Sequence, residues 1–327
     1  MANVPMDAVQ STLIMSTKPR PQPTTVRQLV LWGERQLREA KVAFGHGTDN
    51  ALDESAWLVG SAIGVAPADL ESQLDRPLSA SYLADARRII EMRIRTRKPA
   101  AYLLREAWFA GLRFYVDERV IVPRSLIGEF VLEEFQPWID GGRVHRALDL
   151  CTGSGCIAVA IARAFPHVQV DAADISAEAL EVARINIGAH SLEARVHPIQ
   201  SDLFCALGGE RYDLIVSNPP YVAAGDLASL PAEYRHEPEL ALASGADGLE
   251  AVARILAQAE DYLTSGGILV VEVGNSREAL ELRFPLVPFL WLTTRSGDES
   301  VFLMDQAELV RQRATLRKTL VEIPDRR

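Results

Sequence analysis

Ala147-Leu148-Asp149-Leu150-Cys151-Thr152-Gly153-Ser154-Gly155 reads as a short apolar strand, a glycine turn and the opening of a helix. A helical pattern over 157–164 follows, then an apolar strand at 168–173 that ends on Asp174. The alternation continues with a helix at 177–189, strands at 196–200 and 214–217, a helix at 249–263 and a strand at 268–273. Strands and helices in this order build a doubly wound α/β fold around a mostly parallel sheet. Two short apolar runs near 289–294 and 300–304 fit an antiparallel pair that closes it, for an expected seven-stranded, Rossmann-like sheet.

The ends of these strands carry the chemistry, because ligands in open α/β sheets bind beyond the carboxyl ends of the strands. Gly153 and Gly155 permit a tight turn and close backbone approach to a ligand. The turn is not the dinucleotide fingerprint GxGxxG, since Ile157 and Ala158 follow, and no lysine makes it a phosphate-binding loop. Asp174, one strand later, is placed for ribose hydroxyls; capping of the next helix by Asp174 or Ser176 is the plainer alternative. Asp202 ends the third strand beside Leu203, an acceptor for an exocyclic amine next to an apolar surface for a ring. A simple turn aspartate is again the alternative.

The fourth strand, Tyr212-Asp213-Leu214-Ile215-Val216-Ser217, runs into Asn218-Pro219-Pro220-Tyr221. A residue before proline is held extended, and neither proline carries an N–H. The turn therefore presents acceptors with little donor competition: the Asn218 side-chain oxygen and the Pro219 carbonyl. Two acceptors suit both hydrogens of one planar –NH2 group, and Tyr221 offers a ring face beside it. Asn and Pro are also ordinary turn residues, so the tetrapeptide alone does not decide.

The composition is that of a soluble globular chain: 327 residues, 48% hydrophobic, 24% charged, with a net charge of −10. That charge argues against bulk attraction to nucleic acid. Cys151, Cys156 and Cys205 lack the paired spacing of a metal site and fit small buried residues in a reducing, cytoplasmic setting. No metal is expected, and no apolar run suggests a membrane span. Residues 1–25 read as a disordered tail, 26–106 as a small helical substrate-recognition domain, 107–123 as a linking β-hairpin, and 124–306 as the α/β domain. Within the last, 127–139 reads as a helix, and 307–327 as a terminal helix or tail.

The ordered set Asp149, Gly153, Gly155, Asp174, Asp202 and Asn218-Pro219-Pro220-Tyr221 resembles the class I S-adenosylmethionine-dependent methyltransferases, in the branch that methylates amino groups. The helical N-terminal region, the hairpin and Val122-Pro123-Arg124 extend the likeness to the HemK/PrmC/PrmB protein-glutamine methyltransferases. Pro123-Arg124-Ser125-Leu126-Ile127-Gly128-Glu129 and Glu233-Tyr234-Arg235-His236-Glu237-Pro238-Glu239-Leu240 resemble the PrmB branch, whose substrate is a glutamine of ribosomal protein L-three. Cys151 departs from the pattern, since glycine is commoner there.

The resemblance implies that Asp149, Cys151, Thr152, Gly153, Ser154, Gly155, Asp174, Asp202, Leu203 and Asn218 hold S-adenosyl-L-methionine. It implies that Asn218, Pro219, Pro220 and Tyr221, with Arg124, hold the glutamine. Tyr234 to Glu237 suit a lid over the substrate. Arg87, Arg88, Arg93, Arg95, Arg97 and Lys98 are either a solvated helix face or a contact with ribosomal RNA. Release-factor glutamine methylation, adenine-N6 methylation of nucleic acid and a non-catalytic role in ribosome assembly are the competing functions.

Overall fold

A computed structural model describes residues 22–318. The tail expected over 1–25 falls mostly outside the described residues, as do residues 319–327. Four helices come first: α1 (Val26–Glu39), α2 (Ala51–Ala62), α3 (Ala80–Thr96) and α4 (Ala100–Leu104). The first three start on side-chain caps: Thr25, Asn50 and Ser79 accept the N–H of Gln28, Asp53 and Tyr82. Their apolar stripes meet around Leu29, Leu37, Leu58 and Ile90, all fully buried.

Strands β1 (Ala107–Phe109) and β2 (Leu112–Phe114) form the hairpin, joined by Ala110-Gly111 with both residues at positive φ. The hairpin is shorter than the sequence suggests. Residues 115–122 leave the ladder and pack Val116, Val120 and Val122 into the helical core instead. The following helix α5 (Ile127–Leu132) is also shorter than the 127–139 expected. Glu134 and Phe135 turn left-handed, Phe135 is fully buried, and Pro137 disfavours helix in the residue before it.

The sheet strands and their helices then alternate: β3 (Arg146–Leu150), α6 (Cys156–Ala164), β4 (Gln169–Asp174), α7 (Ala177–Ala189), β5 (Val196–Gln200) and β6 (Tyr212–Ser217). They continue with α8 (Glu250–Tyr262), β7 (Leu263–Glu272), α9 (Arg277–Arg283), β8 (Leu290–Leu292), β9 (Val301–Asp305) and α10 (Gln306–Lys318). The spatial order is β5-β4-β3-β6-β7-β9-β8, and β9 runs against its two neighbours in an otherwise parallel sheet. The expected antiparallel pair at the end is present.

Alternate residues serve opposite faces of the sheet. Ala147, Leu214 and Ile268 pack under α5, α6 and α7, whereas Leu148, Ile215 and Leu269 pack under α8, α9 and α10. The strand order reverses between β3 and β6, so a crevice opens at their carboxyl ends. Parallel register lines those ends up, pairing Leu150 with Ala173 and Ser217, and Asp174 with Gln200. Among the described residues no helix is long and apolar enough to cross a membrane.

Candidate active site

A cleft open to solvent lies over these strand ends. Cys151 and Gly153 from the turn after β3, Asp174 from β4, Asp202 and Leu203 after β5, and Asn218 and Pro220 after β6 all line it. The strand-end residues singled out in the sequence thus converge on one space.

The turn is built for that position. Cys151 has φ 59°, which accounts for the usual preference for glycine there. Gly155 has φ 78°, and a Cβ on it would come 3.2 Å from the Ala183 Cβ of α7. Its glycine therefore serves helix packing behind the cleft. Asp174 is fixed by two backbone donors, Gly153 N–H at 2.8 Å and Ser176 N–H at 2.9 Å, one to each oxygen. Burial nevertheless pushes its pKa up, a cost that hydroxyl donors from a ligand would offset. Asp202 Oδ2 accepts from Arg254 Nη2 at 2.9 Å.

At the mouth of β6, the Asn218 side-chain oxygen is buried without a hydrogen-bond donor among the described residues. The neighbouring Pro219 carbonyl accepts no hydrogen bond there either. A buried amide oxygen without a donor is costly and calls for a functional reason. Pro219 and Tyr221 stand behind the lining. The Tyr221 carbonyl accepts from Ser276 Oγ at 2.9 Å, and a Cβ on Gly274 or Gly248 would strike the Tyr221 ring or carbonyl.

The chain is 48% identical over 303 residues to the ribosomal protein uL3 glutamine methyltransferase of Burkholderia pseudomallei, covering 90% of this chain and 98% of that one. The chain belongs to the uL3 glutamine methyltransferase family. A member from Neisseria gonorrhoeae is 48% identical over 288 residues, covering 88% of this chain and 96% of its own. A family model for the methyltransferase small domain matches residues 129–232. Among solved structures, a methyltransferase from Pyrococcus furiosus is similar at 19% identity, over 60% of this chain and 89% of that one, with a TM-score of 0.44.

Several residues that the family resemblance suggests for binding do not reach the cleft. Thr152 and Ser154 are buried: the Thr152 hydroxyl donates to Asp149 at 2.5 Å, and the Ser154 carbonyl accepts from Asn186 Nδ2 at 2.9 Å. Asp149 is fully buried and holds the turn from behind, accepting also the Ala158 N–H at 3.0 Å. Burial lifts its carboxyl to about 7, and the two hydrogen bonds offset this only in part. Its folded pKa lies above the ordinary 3.8, so folding takes up a proton between those values. The contribution of Asp149 to stability therefore falls as pH rises through that window. Asp149→Asn is expected to flatten the melting-temperature profile there; an equally steep decline in the variant would contradict the assignment.

Arg124 likewise stands outside the lining. Its guanidinium meets both oxygens of Glu237, at 2.5 and 2.8 Å, and lies 5.4 Å from the Tyr234 ring centroid. The basic stretch divides. Arg93 is fully buried between Glu54, at 2.8 Å, and Glu233, at 3.2 Å. Arg97 donates to the Ala40 and Lys41 carbonyls, Arg88 pairs with Asp85 and Lys98 with Glu118, and Arg87 lies over Trp32. Arg95 alone of the six is exposed without one of these partners. Of the cysteines, only Cys156 is buried; Cys205 is exposed.

Ile121, Ile175, Leu240 and Arg254 also line the cleft, outside the residues that the sequence marks for binding. Ile175, a large apolar residue directly after the strand-end acid, is 47% exposed, and Leu240 is 51% exposed. Arg254 lies on α8, and nothing local to its sequence marks it as the partner of Asp202.

Proposed function

We propose that this chain transfers a methyl group from S-adenosyl-L-methionine to the side-chain amide nitrogen, N5, of a glutamine in ribosomal protein uL3. The observation that carries the reading is the Asn218 oxygen, buried and without a donor beside the Pro219 carbonyl at the switch point of the sheet. The names of its relatives supply the substrate.

When bound, S-adenosyl-L-methionine supplies an electrophilic methyl on a sulfonium, leaving S-adenosyl-L-homocysteine. Cys151 and Gly153 would meet it through backbone, Asp174 would take its ribose hydroxyls, and Asp202 and Leu203 its adenine. Asn218 lies between that region and the amide. Its side-chain oxygen and, from just behind the lining, the Pro219 carbonyl accept the two amide hydrogens. That grip fixes the amide plane so that the nitrogen lone pair, which stands perpendicular to it, faces the methyl; both dipoles stabilise the positive charge that develops on nitrogen until one N–H proton leaves to solvent. Holding the reacting groups in line contributes about 7–11 kcal/mol in well-oriented systems, so positioning carries most of the catalysis. Glutamate is rejected because its carboxylate would set oxygen against oxygen.

Labelled methyl offered in parallel to purified uL3, release factors, ribosomal RNA and DNA tests the reading. Incorporation into uL3 is expected. Preferred incorporation into a nucleic acid would overturn it, because the same grip fits a flipped adenine. Ribosomal RNA contact, if made through the basic stretch, rests on Arg95 and its exposed neighbours rather than on Arg93.

A further inference from the structure

Two motifs remain without a role in this chemistry: Val122-Pro123-Arg124 and Glu237-Pro238. They are each other's partners. The Glu237 carboxylate is fully buried and accepts the Val122 N–H at 3.0 Å as well as both prongs of Arg124. His46 Nε2 lies 3.7 Å from it, beyond hydrogen-bond reach but within ion-pair range. Burial alone would raise its pKa, yet His46 and Arg124 hold it at about 2.

The position of this carboxylate matters more than its strength. Val120 and Ile121 form one wall of the cleft, and the chain passes from them directly to Val122. Pro238, Leu240 and Ala241 form a second part of the wall, and the chain reaches them directly from Glu237. This second part also returns to the catalytic turn, since Val222 N–H donates to Leu242 O at 2.8 Å and Ser244 N–H to Val222 O at 2.9 Å.

We infer that Glu237 is a positioning residue that clamps these two lining segments together and thereby sets the shape of the cleft. The inference rests on the reading of this cleft as the nucleoside site. An ion pair fixed by three hydrogen bonds in a buried setting keeps two segments 115 residues apart in register. Without it the 238–244 wall is held by Val222 and by contacts farther along the loop, such as Glu233 with Arg93.

Glu237→Gln and the double variant Arg124→Met/Glu237→Gln test the clamp, read by calorimetric binding of S-adenosyl-L-homocysteine and by amide hydrogen exchange. Glu237→Gln leaves a partly buried arginine without its carboxylate and is expected to lose stability as well as affinity. The double variant removes both charges, so stability should return toward wild type while affinity stays lower by about tenfold or more. Amides of 238–244 should exchange faster in both variants. Binding within about twofold of wild type in either variant, or affinity that recovers with stability in the double variant, overturns the inference. Should the wild-type chain itself fail to bind, the nucleoside reading falls instead. Exchange then decides the clamp alone, and unchanged protection at 238–244 would refute it.

Discussion

Replacing Asn218 by alanine is expected to lower methyl transfer by about two to three orders of magnitude, the loss typical when one preorganised polar group at a reacting centre is removed. Stability should not fall with it. The side-chain oxygen has no donor among the described residues, so the wild type bears the cost of an unsatisfied buried acceptor, of order 1–3 kcal/mol. Alanine removes that cost along with the grip. The paired result, a lost turnover number with an unchanged or slightly raised melting temperature, separates a functional group from a structural one. Near-normal turnover would remove Asn218 from the mechanism, and a large fall in stability would mean that its oxygen has a partner after all.

The second large effect is expected at Gly274. Its φ is +47°, and a Cβ there would lie 2.5 and 2.7 Å from ring atoms of Tyr221. Alanine must therefore push aside the ring of a residue that the family resemblance places at the glutamine, and displacement of a positioning group by about 1 Å costs roughly a hundredfold in rate. Left-handed strain in the alanine variant adds about 1–3 kcal/mol of destabilisation. Gly266 supplies the control: its φ is +85°, but a Cβ there meets nothing within 4 Å. Gly266→Ala should lose comparable stability and keep its activity. Gly274→Ala should lose turnover while still binding S-adenosyl-L-homocysteine, since neither Gly274 nor Tyr221 lines the cleft. Equal activity in the two variants would show that Tyr221 needs no fixed position.

The parts of this site that follow from one strand and its own end are legible in the sequence alone. Apolar runs such as Leu214-Ile215-Val216 mark buried parallel strands, and parallel register then brings Asp174, Asp202 and Asn218 to one edge. The roles that depend on distant partners are not legible there. Arg93 sits in a run that looks like a solvated helix face, yet it is buried because Glu54 and Glu233 arrive from elsewhere in the chain. Arg124 reads as a substrate ligand, but Glu237, 113 residues later, occupies it. Asp149 belongs to the right motif but points away from the cleft, because Thr152 and Ala158 hold it under the turn. Gly248 and Gly274 carry no motif at all; the nearness of Tyr221 and their positive φ explain them.

The central claim, methylation of a glutamine amide in uL3, is tested most directly by mass spectrometry of uL3 from cells that lack this chain. One glutamine should be without the methyl group it carries in the parent strain. Restoring the wild-type chain should return that methyl, and restoring Asn218→Ala should not. Fully methylated uL3 in the absence of the chain would contradict the account.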